Sequence, residues 1–207
     1  DPTTGKALVA DKAEPNFTDP ESRIMPYQKT FMQGYNAQVA VDAAHQIIVA
    51  TCLTNCPTDQ EQLPHMLKRL PKKPKVLTAD AGYAVGAHAR VLRTSSIDTY
   101  IALGREPHQS LGLQPAPRGR TPKKLTFAER MARKLLTKKG RRIYARRKAI
   151  VEPPIGQIKH VMGFRQFSLR GLFKAEAEWF LVTAAHNLRK LDVALRQKPQ
   201  LRAVLMT

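Results

Sequence analysis

The sequence predicts an α/β domain that closes in an all-helical region. Three observations carry this. Residues 35–42 alternate apolar and polar side chains, a turn follows, and the apolar run "IIVATCL" comes next, which is the pattern of a β-hairpin. Further on, "KVLTADAGY" and "IDTYIAL" read as short strands separated by helical patterns. The chain then carries "KAEAEWFLVTAAHNLRKLDVALRQ", with the periodicity of a long amphipathic helix.

Residues 1–30 are rich in Pro, Thr, Asp and Lys without a clean period and read as a loop. In the hairpin, Tyr35, Ala37, Val39 and Val41 alternate with Asn36, Gln38, Ala40 and Asp42. "TDQEQLPHMLKRL" predicts a helix capped by Thr58, with Glu61 completing a capping box, and Pro71 and Pro74 beyond its end. Val76–Thr78 predicts a buried strand, "AVGAHARVLRTS" a helix, and "IDTYIAL" a strand. Residues 104–124 are Gly-, Pro- and Arg-rich and predict a loop-rich insertion. Helical pattern returns over "LTFAERMARKLLTKKGRRIYARRKAIV" and "IGQIKHVM".

Composition bounds the partners. The 207 residues hold 35 Lys+Arg against 16 Asp+Glu, a formal net charge of +19, in a chain that is 43% hydrophobic. That is a globular composition with a face for a polyanion: nucleic acid first, a ribosome or anionic membrane surface as rivals. Most of the excess lies in residues 118–174. No apolar run is long enough for a membrane span and no signal peptide is present, which predicts a cytoplasmic protein. The chain starts at Asp1, which reads as a fragment or a processed chain. Cys52 and Cys56 are its only cysteines. No second pair at metal spacing follows, so two thiols in a reducing compartment outweigh a zinc site.

Two carboxylates stand out. Asp80 ends a predicted strand, where α/β sheets gather functional groups, and Gly82 permits a tight exit. The bland reading is a cap for the helix expected near residue 84. Glu152 is the only acidic residue between Arg130 and Lys174. Its bland reading is an ion pair with Lys148 or Lys159. Pro153 disfavours helix at Glu152, which predicts a helix junction there, with Pro153 near the start of the next helix. Together, an Asp and a Glu on a basic surface suit a divalent-metal site that handles phosphodiesters.

Several stretches resemble, in order, the DD(E/D) transposases of bacterial insertion sequences, in the group with a ribonuclease-H-like catalytic domain. They are "GYNAQVAVD", the strand with "ADAGY", "YARRKAIVEPPIGQIK" and "FRQFSLRGLFKAEAEWFLVTAAHNLRK". The resemblance runs from about Thr18 to Leu191. Its most specific part is the Tyr-Arg-Glu-Lys signature, here Tyr144, Arg147, Glu152 and Lys159, with one residue more between Arg and Glu than is usual. The resemblance implies that Asp80 and Glu152 are catalytic and metal-ligating. It implies a two-metal Mg²⁺ or Mn²⁺ centre, and DNA-binding or site-supporting roles for Tyr144, Arg147 and Lys159, with Arg146 and Lys148 beside them. It further implies double-stranded DNA as partner, both transposon ends and target, a homodimer in the active assembly, and a bacterial, nucleoid-associated protein.

The fold so implied is a ribonuclease-H-like mixed sheet flanked by helices. Only two strands are expected before residue 58, and they correspond to its second and third. The first strand, with the first catalytic aspartate, is therefore expected upstream of Asp1. Asp42 and Asp19 are the candidates for a third carboxylate within the chain, each with a turn or loop role as the simpler reading. The expected organisation is a loop-rich segment 1–30, a catalytic domain 31–195 and a tail 196–207. The expected function is metal-dependent DNA strand cleavage and transfer, from a copy that lacks its first strand. The alternative is a basic DNA-binding remnant without catalysis. Trp179, Phe180, Leu181 and Val182 are expected to pack the last helix against the sheet, and the six histidines have no metal or nucleophile spacing.

Overall fold

A computed structural model describes residues 16–27, 29–83, 96–102, 115–122 and 124–197. Four helices and six strands are formed among them. β1 (Arg23–Tyr27) and β2 (Thr30–Gly34) make one antiparallel hairpin, and β3 (Asn36–Val41) and β4 (Ile48–Thr54) make a second. α1 spans Gln62–Arg69; β5 (Val76–Ala79) pairs in parallel with β6 (Asp98–Ile101). α2 (Phe127–Leu136), α3 (Lys138–Gly156), a π-helical turn (Gln157–Val161) and α4 (Leu172–Gln197) follow. The helix expected over residues 84–95 and most of the 104–124 insertion lie outside the described residues.

The expected hairpin is β3–β4, and the two later strands are β5 and β6, although β5, expected to be buried, is half-buried with Val76 exposed. Four strands rather than the expected two precede residue 58, because the segment read as a loop forms the β1–β2 hairpin over 23–34. One mixed sheet was expected; the described strands form three two-stranded sheets instead. Strands β3 and β5 each pair with a single neighbour, so each keeps one edge without a ladder partner among the described residues.

Both faces of the β3–β4 ladder are covered. On one face Val39, Val41 and Ile48 pack with Trp179 of α4 and with Ile158, Phe164 and Phe167. On the other, Ala40, Ala50 and Cys52 pack with Met66 of α1. This explains why Gln38, a polar position in the alternation, is buried. Phe180 and Leu181 are exposed, contrary to expectation, because four consecutive helical residues cannot all face one core. The outer edge of β4 is closed by side chains. Asn187 accepts from Ile48 N (2.9 Å) and donates to Ile48 O (2.8 Å), Glu176 accepts from Leu53 N (3.2 Å), and Arg69 donates to Thr51 O (3.0 Å).

Helix starts follow local chemistry. The capping box expected at Thr58 and Glu61 is not formed; Glu61 is the cap residue of α1 without a side-chain bond, and Thr58 Oγ1 meets Cys56 Sγ at 3.5 Å. A capping box forms at α2 instead, between Thr126 and Glu129. Thr137 ends α2 and caps α3, accepting from Gly140 N at 3.0 Å.

The junction expected at Glu152 is absent. α3 runs through Glu152, Pro153 and Pro154 and then widens into the π-turn. A proline supplies no N–H, so Pro153 leaves the carbonyl of Ala149 without its helical donor. Gln46 Nε2 donates to that carbonyl at 2.9 Å. Gln157 N still reaches Pro153 O and Pro154 O, and Met162 N then reaches back five residues to Gln157 O (2.9 Å), which is the bond that widens the turn. Buried Ile158 and the bond between Gln157 Oε1 and His186 Nε2 (3.0 Å) hold the widened turn.

Candidate functional site

β5 delivers Asp80 at its carboxyl end. A single 3₁₀ turn, Ala81–Tyr83, follows at once. Gly82 N donates to Asp80 Oδ1 at 2.8 Å and Tyr83 N to Asp80 O at 3.2 Å, so Asp80 caps its own turn. Its other oxygen, Oδ2, lies 3.5 Å from Arg147 Nη1 of α3. The two segments are 67 residues apart in sequence. α3 brings them together because it packs across β3, β5 and β6.

Arg147 is 15% exposed and lies over the Tyr144 ring, 5.5 Å from its centroid. Positions i and i+3 share a helix face, which puts the ring under the guanidinium. Arg147 Nε is buried without a hydrogen-bond partner. Burial pushes the Tyr144 hydroxyl pKa up, and the Arg147 charge opposes that shift.

Glu152 is exposed on α3 and makes no ion pair among the described residues. Five residues separate it from Arg147. At about 100° per residue that turns it roughly 140° around the helix and carries it about 7.5 Å along it. Lys148, four residues before Glu152, lies nearer its face. Arg146, Lys148 and Lys159 are exposed, as are Lys138, Lys139 and Arg142 on the same helix. The structure thus joins Asp80 to Arg147 and Tyr144, while Glu152 stands on the solvent side of the same helix amid basic residues.

Asp19 and Asp42 are committed elsewhere. Tyr35 Oη lies 2.7 Å from both Asp19 oxygens, and Gly171 N donates to Asp19 Oδ1 at 3.2 Å, which ties the N-terminal loop to the start of α4. Asp42 Oδ2 accepts from Ala44 N (3.0 Å) and His45 N (2.8 Å) and shapes the β3–β4 turn. Among the described residues no three Asp, Glu, His or Cys side chains gather as a metal site. Asp80 and Glu152 alone therefore do not compose one.

Sequence reasoning missed a neighbouring polar cluster. Asn36 Nδ2 (2.8 Å) and Gln38 Nε2 (2.7 Å) both donate to Asp59 Oδ1, and the Tyr83 hydroxyl donates to Gln38 Oε1. Tyr83 is pushed to a high pKa by burial first and by Asp59 and Asp80 next, so it stays a donor. No sequence signal marked it, because Gln38 falls on the polar phase of the alternation and only the packing covers that face.

Residues 11–188 match the Transposase DDE domain family. No curated protein and no solved structure matches the chain. With this match over most of its length, the chain belongs to the family of transposase DDE domains.

Proposed function

We propose that this domain cleaves DNA and transfers the cut strand in a divalent-metal-dependent reaction, with Asp80 and Glu152 as two of its catalytic carboxylates. The observation that carries the reading is the meeting of the Asp80 turn with Arg147 and Tyr144 of α3, since both segments come from stretches that resemble catalytic signatures. The family to which the chain belongs acts on DNA and generally uses divalent metals. A bound divalent ion supplies charge stabilisation at the phosphoryl oxygens and an activated attacking oxygen. The chain's own contribution is to hold the duplex. Exposed Arg146, Lys148, Lys159 and their basic neighbours on α3 contact the phosphates, and Arg147 orients Asp80.

The site needs a third carboxylate from outside the described residues. The unpaired edges of β3 and β5 are where a further strand would complete one sheet and bring that group beside Asp80. Asp19 and Asp42 are poor sources, because their oxygens already hold a loop and a turn.

A second reading, a DNA-binding remnant without catalysis, is favoured by the lack of a three-residue metal cluster among the described residues. Gel shift and plasmid nicking in Mn²⁺ separate the two. Both activities support the transposase, with nicking lost in Asp80→Asn and Glu152→Gln. Gel shift alone supports the remnant.

A further inference from the structure

The Asp80 turn lies between two strand pairs that share no backbone ladder. Side chains make the link instead, and they do so in one direction. The Tyr83 hydroxyl donates to Gln38 Oε1, and the Asp59 carboxylate, which only accepts, fixes which way the amide points. Gln38 Nε2 then donates to Asp59 Oδ1 (2.7 Å) and to Asn36 Oδ1 (2.8 Å). Asn36 Nδ2 donates to the same Asp59 oxygen (2.8 Å) and to Cys56 O (3.3 Å). Gln38 is only 3% exposed, so a misoriented amide would leave buried polar atoms unpaired. The second Asp59 oxygen packs on the turn itself: a Cβ on Gly82 would lie 2.9 Å from Asp59 Oδ2. Gly82 is the residue whose N–H binds Asp80 Oδ1.

We propose that Asp59, Gln38 and Tyr83 are positioning residues that hold the Asp80 carboxylate in its reactive orientation, through the Gly82–Tyr83 turn. The assignment rests on the reading of Asp80 as a catalytic carboxylate. None of the three touches DNA in this scheme; they act through Asp80. The Asp59 side chain accepts two amide donors, and an asparagine there retains an accepting oxygen. A leucine of similar size retains none.

The test compares the full chain with Tyr83→Phe, Gln38→Leu, Asp59→Leu, Asp59→Asn and Asp80→Asn. Amide hydrogen exchange is followed at Gly82 and Tyr83, with plasmid nicking in Mn²⁺ and gel-shift affinity alongside. Exchange is expected to quicken about tenfold in Tyr83→Phe, Gln38→Leu and Asp59→Leu, because the turn opens locally. Nicking rates should fall about tenfold or more in the same three variants, with DNA affinity kept, because a small misplacement costs rate rather than binding. Asp59→Asn is expected to restore both. Unchanged exchange overturns the network, whether or not the chain nicks. Quickened exchange with nicking kept in the three variants, and lost only in Asp80→Asn, overturns the positioning role and leaves the catalytic reading of Asp80 standing. Nicking kept in Asp80→Asn overturns that reading and the positioning role with it. Equal losses in Asp59→Asn and Asp59→Leu also count against the network, since an accepting oxygen would then be irrelevant.

Discussion

Arg147 holds its guanidinium between a tyrosine ring and a carboxylate, with little access to water. Removing it leaves Asp80 without its cationic neighbour. Arg147→Ala is expected to lower nicking at least tenfold, and Arg147→Lys to recover little of it, because an ammonium does not reproduce a planar guanidinium on the ring. Rates at saturating DNA check this. Glu152 differs, being exposed and unpaired with any described cation. Glu152→Gln should abolish nicking while gel-shift affinity holds or rises slightly, since a negative charge leaves a cationic face. His186 is buried, and its pKa is lowered by burial first, then by the Lys190 and Arg189 charges against the Asn187 bond. The unfolded chain therefore binds this proton more readily than the folded one. The contribution is intact above the unfolded value of about 6.5 and is lost as pH falls below it toward the lowered folded value. Melting temperatures from pH 7.5 down to 5.5 should drop more steeply in the parent than in His186→Gln.

At the scale of the element, α3 matters most, because one helix carries Tyr144, Arg147 and Glu152. Its start depends on Gly140, where an added Cβ would sit 2.0 Å from Lys134 O, a backbone atom of the preceding helix. Gly140→Ala should therefore destabilise the fold by about 2–3 kcal/mol, measured by denaturant melts, because the α2–α3 corner has to open. Near its far end, Gln46 donates to the Ala149 carbonyl that Pro153 leaves without a helical donor. The sequence made a break at Pro153 reasonable, since local chemistry disfavours helix there. The helix continues nonetheless, and a side chain 103 residues away meets the vacated carbonyl, an interaction that no local rule contains. The β3–β4 hairpin was legible because alternation and an apolar run are local signals. The capping box at Thr58 was not, because Asp59 is held by Asn36 and Gln38, and α1 starts after it.

Across the whole molecule, the +19 charge and the basic surface of α3 predict DNA binding dominated by phosphate neutralisation. The logarithm of affinity should fall steeply and linearly with the logarithm of salt concentration. Charge removal at Arg146 and at Lys148 should flatten that slope by about one unit for each phosphate no longer neutralised. Fluorescence anisotropy across a salt series measures both. The charge bias and the α/β class could be read directly from the residues. The pairing of Asp80 with Arg147 could not, because it depends on α3 crossing three strands. The link through Gln38 was hidden for a related reason: burial on both faces of β3 turns a polar position into an interior one. The most direct measurement is nicking of supercoiled plasmid in Mn²⁺ by the full chain, Asp80→Asn and Glu152→Gln, with DNA binding measured in parallel. All three are expected to bind DNA and only the parent to nick it. A parent that binds without nicking, or a variant that nicks as well as the parent, would contradict that expectation.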